Sequence, residues 1–297
     1  MSRFSMQFVN KDKYNRILTT PDYLGITSKV EKEIETAKTN LHKTVRSVKS
    51  NLEKYKTSDK TPYFNKDMTY YICSSGGAGS TIIFNYLSMF GNVFHIHDRY
   101  PPNQLQYVGK ENTIEDIYSE WFNNVDIPEH KLKNFKVIFI YRHPIQVIFS
   151  RCVQRNGPNI AHLQHIKCAN NGKINFFDVI KSQQDLYGLE DFFDNYVAPK
   201  KRNYDIYCVK YELFWNNISF FNKTLDIPDV KELYPVKFER PKRFSYVQEL
   251  NFIYKSLINK MNRMRFIEII KPLKQEEYIE PTEAEKQELY KKELSRK

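Results

Sequence analysis

The segment Tyr70-Tyr71-Ile72-Cys73-Ser74-Ser75-Gly76-Gly77-Ala78-Gly79-Ser80-Thr81-Ile82-Ile83 constrains this chain more than any other. Its first residues are apolar and β-prone, its middle is glycine-rich, and its end opens a helix that is expected to run to about Phe90. Gly76, Gly77 and Gly79 remove Cβ atoms where a backbone must turn sharply and come close to something else. The helix they feed, starting at Ser80 and Thr81, presents N–H groups and the positive end of its dipole. Strand, glycine turn and hydroxyl-bearing helix start, with Ala78 the one non-glycine inside the turn, make a phosphate cradle. A nucleotide-hydrolysing P-loop carries a lysine before its final Ser or Thr, to reach the β and γ phosphates. Ser80 stands in that place, so the loop suits a phosphate but is not equipped as an NTPase.

Two further segments share this design. Phe135-Lys136-Val137-Ile138-Phe139-Ile140-Tyr141 reads as a buried strand ending in Arg142, followed by a His143-Pro144 turn and a helix start. Arg142 and Ser150 are eight residues apart, so the turn and about one helical turn bring both to one anion. Ile206-Tyr207-Cys208-Val209-Lys210 is another strand, followed by Tyr211-Glu212. Around them the pattern predicts strands 69–73, 93–97, 136–141 and 205–210, and helices 80–90, 113–123, 145–154, 175–186, 188–195, 213–224 and 246–263. Residues 156–173 read as a surface loop with a short helical piece. This alternation implies an α/β fold, with a mainly parallel sheet flanked by helices on both faces. Ligands in such folds bind at the carboxyl ends of the strands, where all three segments fall.

In that order the segments resemble the sulfotransferases that use 3′-phosphoadenosine 5′-phosphosulfate (PAPS). Ala78-Gly79-Ser80-Thr81 is similar to the family's -SG-[ST]-T- turn, which takes the 5′ phosphosulfate. Tyr141-Arg142-His143-Pro144 through Ser150 is similar to its Y-R-[ND]-P-x-x-x-x-x-S element for the 3′ phosphate, and Tyr211 looks like the tyrosine that lies near the adenine. The resemblance spans residues 70–212. It implies a P-loop-like three-layer architecture, here with an N-terminal helical extension, and PAPS as donor with no metal. The implied reaction moves a sulfuryl group to a hydroxyl or amine of a glycan, polypeptide or small molecule. Cofactor contacts are expected from Gly76, Gly77, Ala78, Gly79, Ser80, Thr81, Arg142, Ser150 and Tyr211. Arg240, Lys242 and Arg243, in the basic loop 237–245, are expected to close over the 3′ phosphate. The family's base is a His or Glu ending the strand after the first helix, where this chain has Phe94-His95-Ile96-His97-Asp98-Arg99. His97 matches best, with His95 and Asp98 as the alternatives. Asp98 is expected to favour the imidazolium and raise the histidine pKa.

Two positions depart from the family. It usually has Lys or Arg two residues before the loop's final glycine, where Gly77 stands, and Asn or Asp where His143 stands. The missing cation then comes from Arg99, Lys110 or Arg151, or else the chain is a non-catalytic nucleotide-binding descendant. A P-loop-type nucleotide or small-molecule kinase is the other alternative. Against it stand the absent loop lysine and the lack of an evident magnesium-binding Asp after a strand. A zinc site from His95, His97, His162 and His165 is not expected, because the i, i+3 spacing of the second pair is ordinary helix geometry.

The net charge of +11 over 297 residues suits an anionic nucleotide donor, although solvating lysines account for much of it. Without a zinc-finger pattern, RNP motif or Arg-rich stripe, nucleic acid is not an expected partner. Cys73, Cys152, Cys168 and Cys208 are scattered without a C-x-x-C pair, which points to a reducing compartment. Residues 1–25 lack the apolar block of a signal peptide, and no run approaches membrane-spanning length, so a cytoplasmic protein without a membrane partner is expected. Residues 28–55 read as a helix with a Ser28–Glu31 capping box and a narrow apolar stripe. The stripe fits a coiled-coil homo-oligomer, and fits packing on its own domain slightly better. The expected organisation is a helical extension and linker over 1–66, an α/β domain over 67–275, and a charged helix over 276–297 that opens with a Thr282–Glu285 capping box.

Overall fold

The apolar runs fold as β1 (Thr69–Cys73), β2 (Asn92–Ile96), β3 (Phe135–Tyr141) and β4 (Ile206–Lys210), each within a residue of its expected bounds. The computed structural model describes residues 62–108, 125–153, 160–237 and 246–273. The expected helices 28–55, 113–123 and 276–297, together with Lys110, Arg240, Lys242 and Arg243, lie outside the described residues. By its contacts the chain divides into Met1–Asp59 and Lys60–Lys297, and every described residue belongs to the second unit.

One sheet has the order β2-β1-β3-β4-β5, in which the fifth strand (β5, Ile267–Ile270) pairs antiparallel with β4 and the other pairs are parallel. The helices are α1 (Ser80–Leu87), α2 (Pro144–Ile148), α3 (Ile160–His165), α4 (Phe176–Ser182), α5 (Leu189–Val197), α6 (Tyr211–Phe214), α7 (Ile218–Leu225), α8 (Val247–Ile253) and α9 (Lys255–Arg263). Side chains alternate across a strand. Tyr70, Ile72, Ile138 and Ile140 therefore pack with α1, α6 and α7, while Tyr71, Cys73, Val137 and Phe139 pack with residues of α2 to α5, α8 and α9. Both faces are covered, which is why the strands read as continuous apolar runs.

The differences from expectation have local causes. The expected helix 145–154 is α2 followed by a π turn, Phe149–Val153. Gln183, at φ 55°, stops α4 short of residue 186. The helix expected over 246–263 breaks at Tyr254, where φ −100° and ψ 16° leave the helical region. Residues 160–172 are not a surface loop, because Leu163, Ile166 and Cys168 are buried in the core. The free cysteines Cys73, Cys168 and Cys208 are buried. Among the described residues no helix is long and apolar enough to cross a membrane.

The strand order matters for the site. From β1 the chain moves outward to β2, then returns past β1 to lay down β3 on its other side. Neighbouring loops thus depart in opposite directions at the carboxyl ends of β1 and β3, which opens a crevice between them.

Candidate functional site

The turn after β1 fills one side of that crevice. Gly76, Gly77 and Gly79 have φ of 79°, 70° and 85°, a region where a Cβ is strained. Gly79 delivers the chain into α1, whose start has no side-chain cap and no carboxylate in its first turn, so nothing there competes with an anion. Thr81 presents an exposed side chain at this helix start. Ser80 does not: only 3% exposed, its hydroxyl turns inward to His95 Nε2 at 2.7 Å and Ser74 Oγ at 2.9 Å. The Ser80 hydroxyl is thus turned away from the expected phosphate contact, and Ser80 instead ties the turn to β2.

Two arginines from the other side bracket the turn. Arg151, on the π turn, lies so close to Gly76 that a Cβ there would overlap its guanidinium, and a Cβ on Gly77 would sit 3.0 Å from Arg151 Cγ and from the Val147 carbonyl. Of the two described cations considered for the role of the missing loop lysine, Arg99 and Arg151, it is Arg151 that lies against the loop. Arg142, at the end of β3, lies with its Cζ 5.0 Å from the centre of the Tyr211 ring. That ring in turn packs where a Cβ of Gly79 would be. The Arg142 Nε–H is buried and has no hydrogen-bond acceptor among the described residues. Ser150 is partly exposed on the same π turn as Arg151, and the His143 N–H between strand and α2 donates to Glu212 Oε1 at 2.8 Å.

His95 of β2 and His97, directly after it, gather under the turn. His97 is 1% exposed, and its Nδ1 lies 2.6 Å from the Ser74 carbonyl and 3.3 Å from Ser74 Oγ. A carbonyl only accepts, so Nδ1 carries the proton and Nε2 the lone pair. The His95 and His162 rings lie 4.3 Å and 5.1 Å from that of His97. Burial, helped by these two imidazoles, pushes the His97 pKa well below the usual histidine value, and burial with Arg151 nearby lowers His95 to about 4. The expectation that Asp98 would raise the histidine pKa is overturned, because burial dominates and the charged neighbour that acts on His97 is Arg151, which lowers it further. Asp98 itself accepts from the Tyr100 N–H at 2.9 Å.

Arg99, expected in the catalytic set, turns away from it. Only 4% exposed, it donates to the carbonyls of Ile166 (2.8 Å), Gly188 (3.0 Å) and Tyr187 (3.0 Å) and to Asp191 Oδ2 (3.0 Å). A guanidinium so engaged is part of the frame. His162 carries the opposite lesson. Considered in the sequence only as a zinc ligand, it donates from Nε2 to the Ser75 carbonyl at 3.1 Å, across 87 residues of chain. No local signal marks that meeting. Among the described residues no group of three or more His, Cys, Asp or Glu is placed to hold a metal ion. The two crevices that reach Ser75, beside Arg151 and Arg142, are each about 10 Å³, room for about one water. Comparison with family models, curated proteins and solved structures finds no match.

Proposed function

We propose that this chain is a sulfotransferase of P-loop-like architecture that moves the sulfuryl group of PAPS to a hydroxyl or amine of a glycan, polypeptide or small molecule. The observation that carries the reading is the bracketing of an uncharged glycine turn by Arg151 at one end and the Arg142–Tyr211 stack at the other. Such a site is built for an extended anion with charge at two places. The turn's amides and Thr81 hold the 5′ phosphosulfate, Arg142 and Ser150 take the 3′ phosphate, and Tyr211 borders the nucleoside. In the transfer the acceptor oxygen attacks sulfur in line, the bond from sulfur to the 5′ phosphate oxygen breaks, and that oxygen leaves with the electron pair. Arg151 and the amides stabilise the charge it gains. The acceptor's proton passes to His97 Nε2, the nitrogen that carries the lone pair when Nδ1–H is committed to the Ser74 carbonyl.

The 1% exposure of His97 favours a second reading, a descendant that binds the nucleotide without turning it over. Titration calorimetry with adenosine 3′,5′-bisphosphate and with Mg–ATP, followed by a transfer assay with labelled PAPS, tests both. Metal-independent binding of the bisphosphate with transfer to a sulfatable glycan or tyrosine peptide is the expected result. Preference for Mg–ATP overturns the reading in favour of a kinase, and tight bisphosphate binding with no transfer to any acceptor favours the second reading.

A further inference from the structure

We infer that His97 and His162 act together as positioning residues, two imidazole donors that hold the carbonyls of Ser74 and Ser75 away from the anion and so preset the backbone path from which the turn's later amides follow. The inference rests on the proposed anion site but not on which nucleotide occupies it. Ser74 and Ser75 are consecutive, and their carbonyls are the first two after β1. A peptide carbonyl and the N–H of the following residue point in opposite directions, so fixing one carbonyl fixes where the next amide points. His97, directly after β2, reaches the Ser74 carbonyl through Nδ1 at 2.6 Å, and His162 of α3 reaches the Ser75 carbonyl through Nε2 at 3.1 Å. Both rings are 1% exposed and meet edge to face at 5.1 Å, so each limits the other's movement. Ser74 completes the hold locally: its N–H donates to the Ile96 carbonyl at 3.1 Å, and its Oγ accepts from the Gly76 N–H at 3.2 Å. A glycine turn has more conformations open to it than any other. Without the clamp, the two carbonyls are free to rotate toward the ligand and repel it. With it, the Gly76 N–H rests on Ser74 Oγ, the start of the turn is set before the anion arrives, and binding loses less to ordering.

The clamp needs donors at defined atoms, which makes it testable by shape. In asparagine the amide nitrogen matches the reach of imidazole Nδ1, and in glutamine that of Nε2. His97→Asn and His162→Gln therefore keep the donors, while His97→Leu and His162→Leu remove them at similar volume. Calorimetry with adenosine 3′,5′-bisphosphate, repeated with inorganic sulfate, is expected to show roughly ten- to hundredfold weaker binding in each Leu variant. The Asn and Gln variants should stay within about threefold of the original. Equal loss in His162→Leu and His162→Gln overturns the donor role, as does unchanged binding in a folded Leu variant. Should the Leu variants not fold, ¹⁵N spectra of the imidazoles in the unaltered protein decide: protons at His97 Nδ1 and His162 Nε2 are expected, and the other tautomer at either ring overturns the clamp. Binding of neither anion by the unaltered protein overturns both this inference and the site it serves, whereas anion binding with the wrong tautomers overturns this inference alone.

Discussion

The carboxyl ends of β1 and β3 lie side by side and solve opposite halves of one problem. After β1 come glycines, hydroxyls and buried imidazoles that supply a shape and almost no charge. After β3 come Arg142 and Arg151, which supply charge around a proline-started helix and a π turn. The difference is physical. Arg151 occupies the volume that a Cβ on Gly76 would take and crowds one on Gly77, so a glycine turn and a cation within the turn are alternative uses of the same space. On the proposed reading, the lysine missing from the loop is a charge relocated to Arg151.

The largest effect that can break this comparison is at His97, on the uncharged side. His97→Asn keeps the Nδ1-like donor and loses the base, so bisphosphate affinity should hold while transfer falls roughly a hundred- to ten-thousandfold. Affinity and transfer falling together would make His97 purely a clamp. The transfer rate of the unaltered protein should be flat between about pH 6 and 8, because the depressed pKa of His97 keeps the imidazole neutral there. A rise centred near 6.5 would mean that burial does not control this ring.

His95 sharpens the same side through stability. Its folded pKa of about 4 lies below the ordinary 6.5, so the stability it contributes is complete above 6.5 and is lost as pH falls from there toward 4. At about 1.4 kcal/mol per pH unit the loss reaches up to about 3 kcal/mol. Melting curves of His95→Gln, which keeps a partner for Ser80 and does not titrate, should be flatter over that window. Curves parallel to the unaltered protein would assign the acid sensitivity elsewhere.

On the charged side, Arg142→Ala and Arg151→Ala should each weaken bisphosphate binding by about 1.5–3 kcal/mol, ten- to a hundredfold, with little change in melting temperature. Normal binding with much earlier melting would make either arginine a frame residue like Arg99. The smallest effect tests the shared volume directly. Gly77→Lys should cost about 1–2 kcal/mol of stability at φ 70° and crowd Arg151. Adding Arg151→Ala to it should restore part of the lost affinity, whereas simple addition of the two losses would show that the positions do not compete.

Much of this fold was legible because parallel strands buried on both faces leave an unmistakable apolar run, and because positive φ selects glycine. β1, β3 and β4 and the turn after β1 carry one or both signals. β5 carries neither. Its four residues, Ile267-Glu268-Ile269-Ile270, include a charge and are defined by pairing with β4. The site was legible where a residue follows directly from a strand end, as Arg142 does. It was not legible where partners meet across the chain, so Ser80 looked like a phosphate donor until His95 and Ser74 claimed its hydroxyl, and the Arg99 side chain was indistinguishable from a free cation.

That buried Arg99 has a consequence for how the molecule assembles. Its acceptors lie 67 to 92 residues further along the chain, in segments that follow β3. Contacts at such separations form late, since each requires a long loop to close. A chain emerging from the ribosome can lay β1 beside β2 well before Tyr187, Gly188 and Asp191 exist to receive the guanidinium. Until they do, the end of β2, and the histidines it carries, is held at one side only. The end of β2 is therefore tied to α5 only once that helix docks.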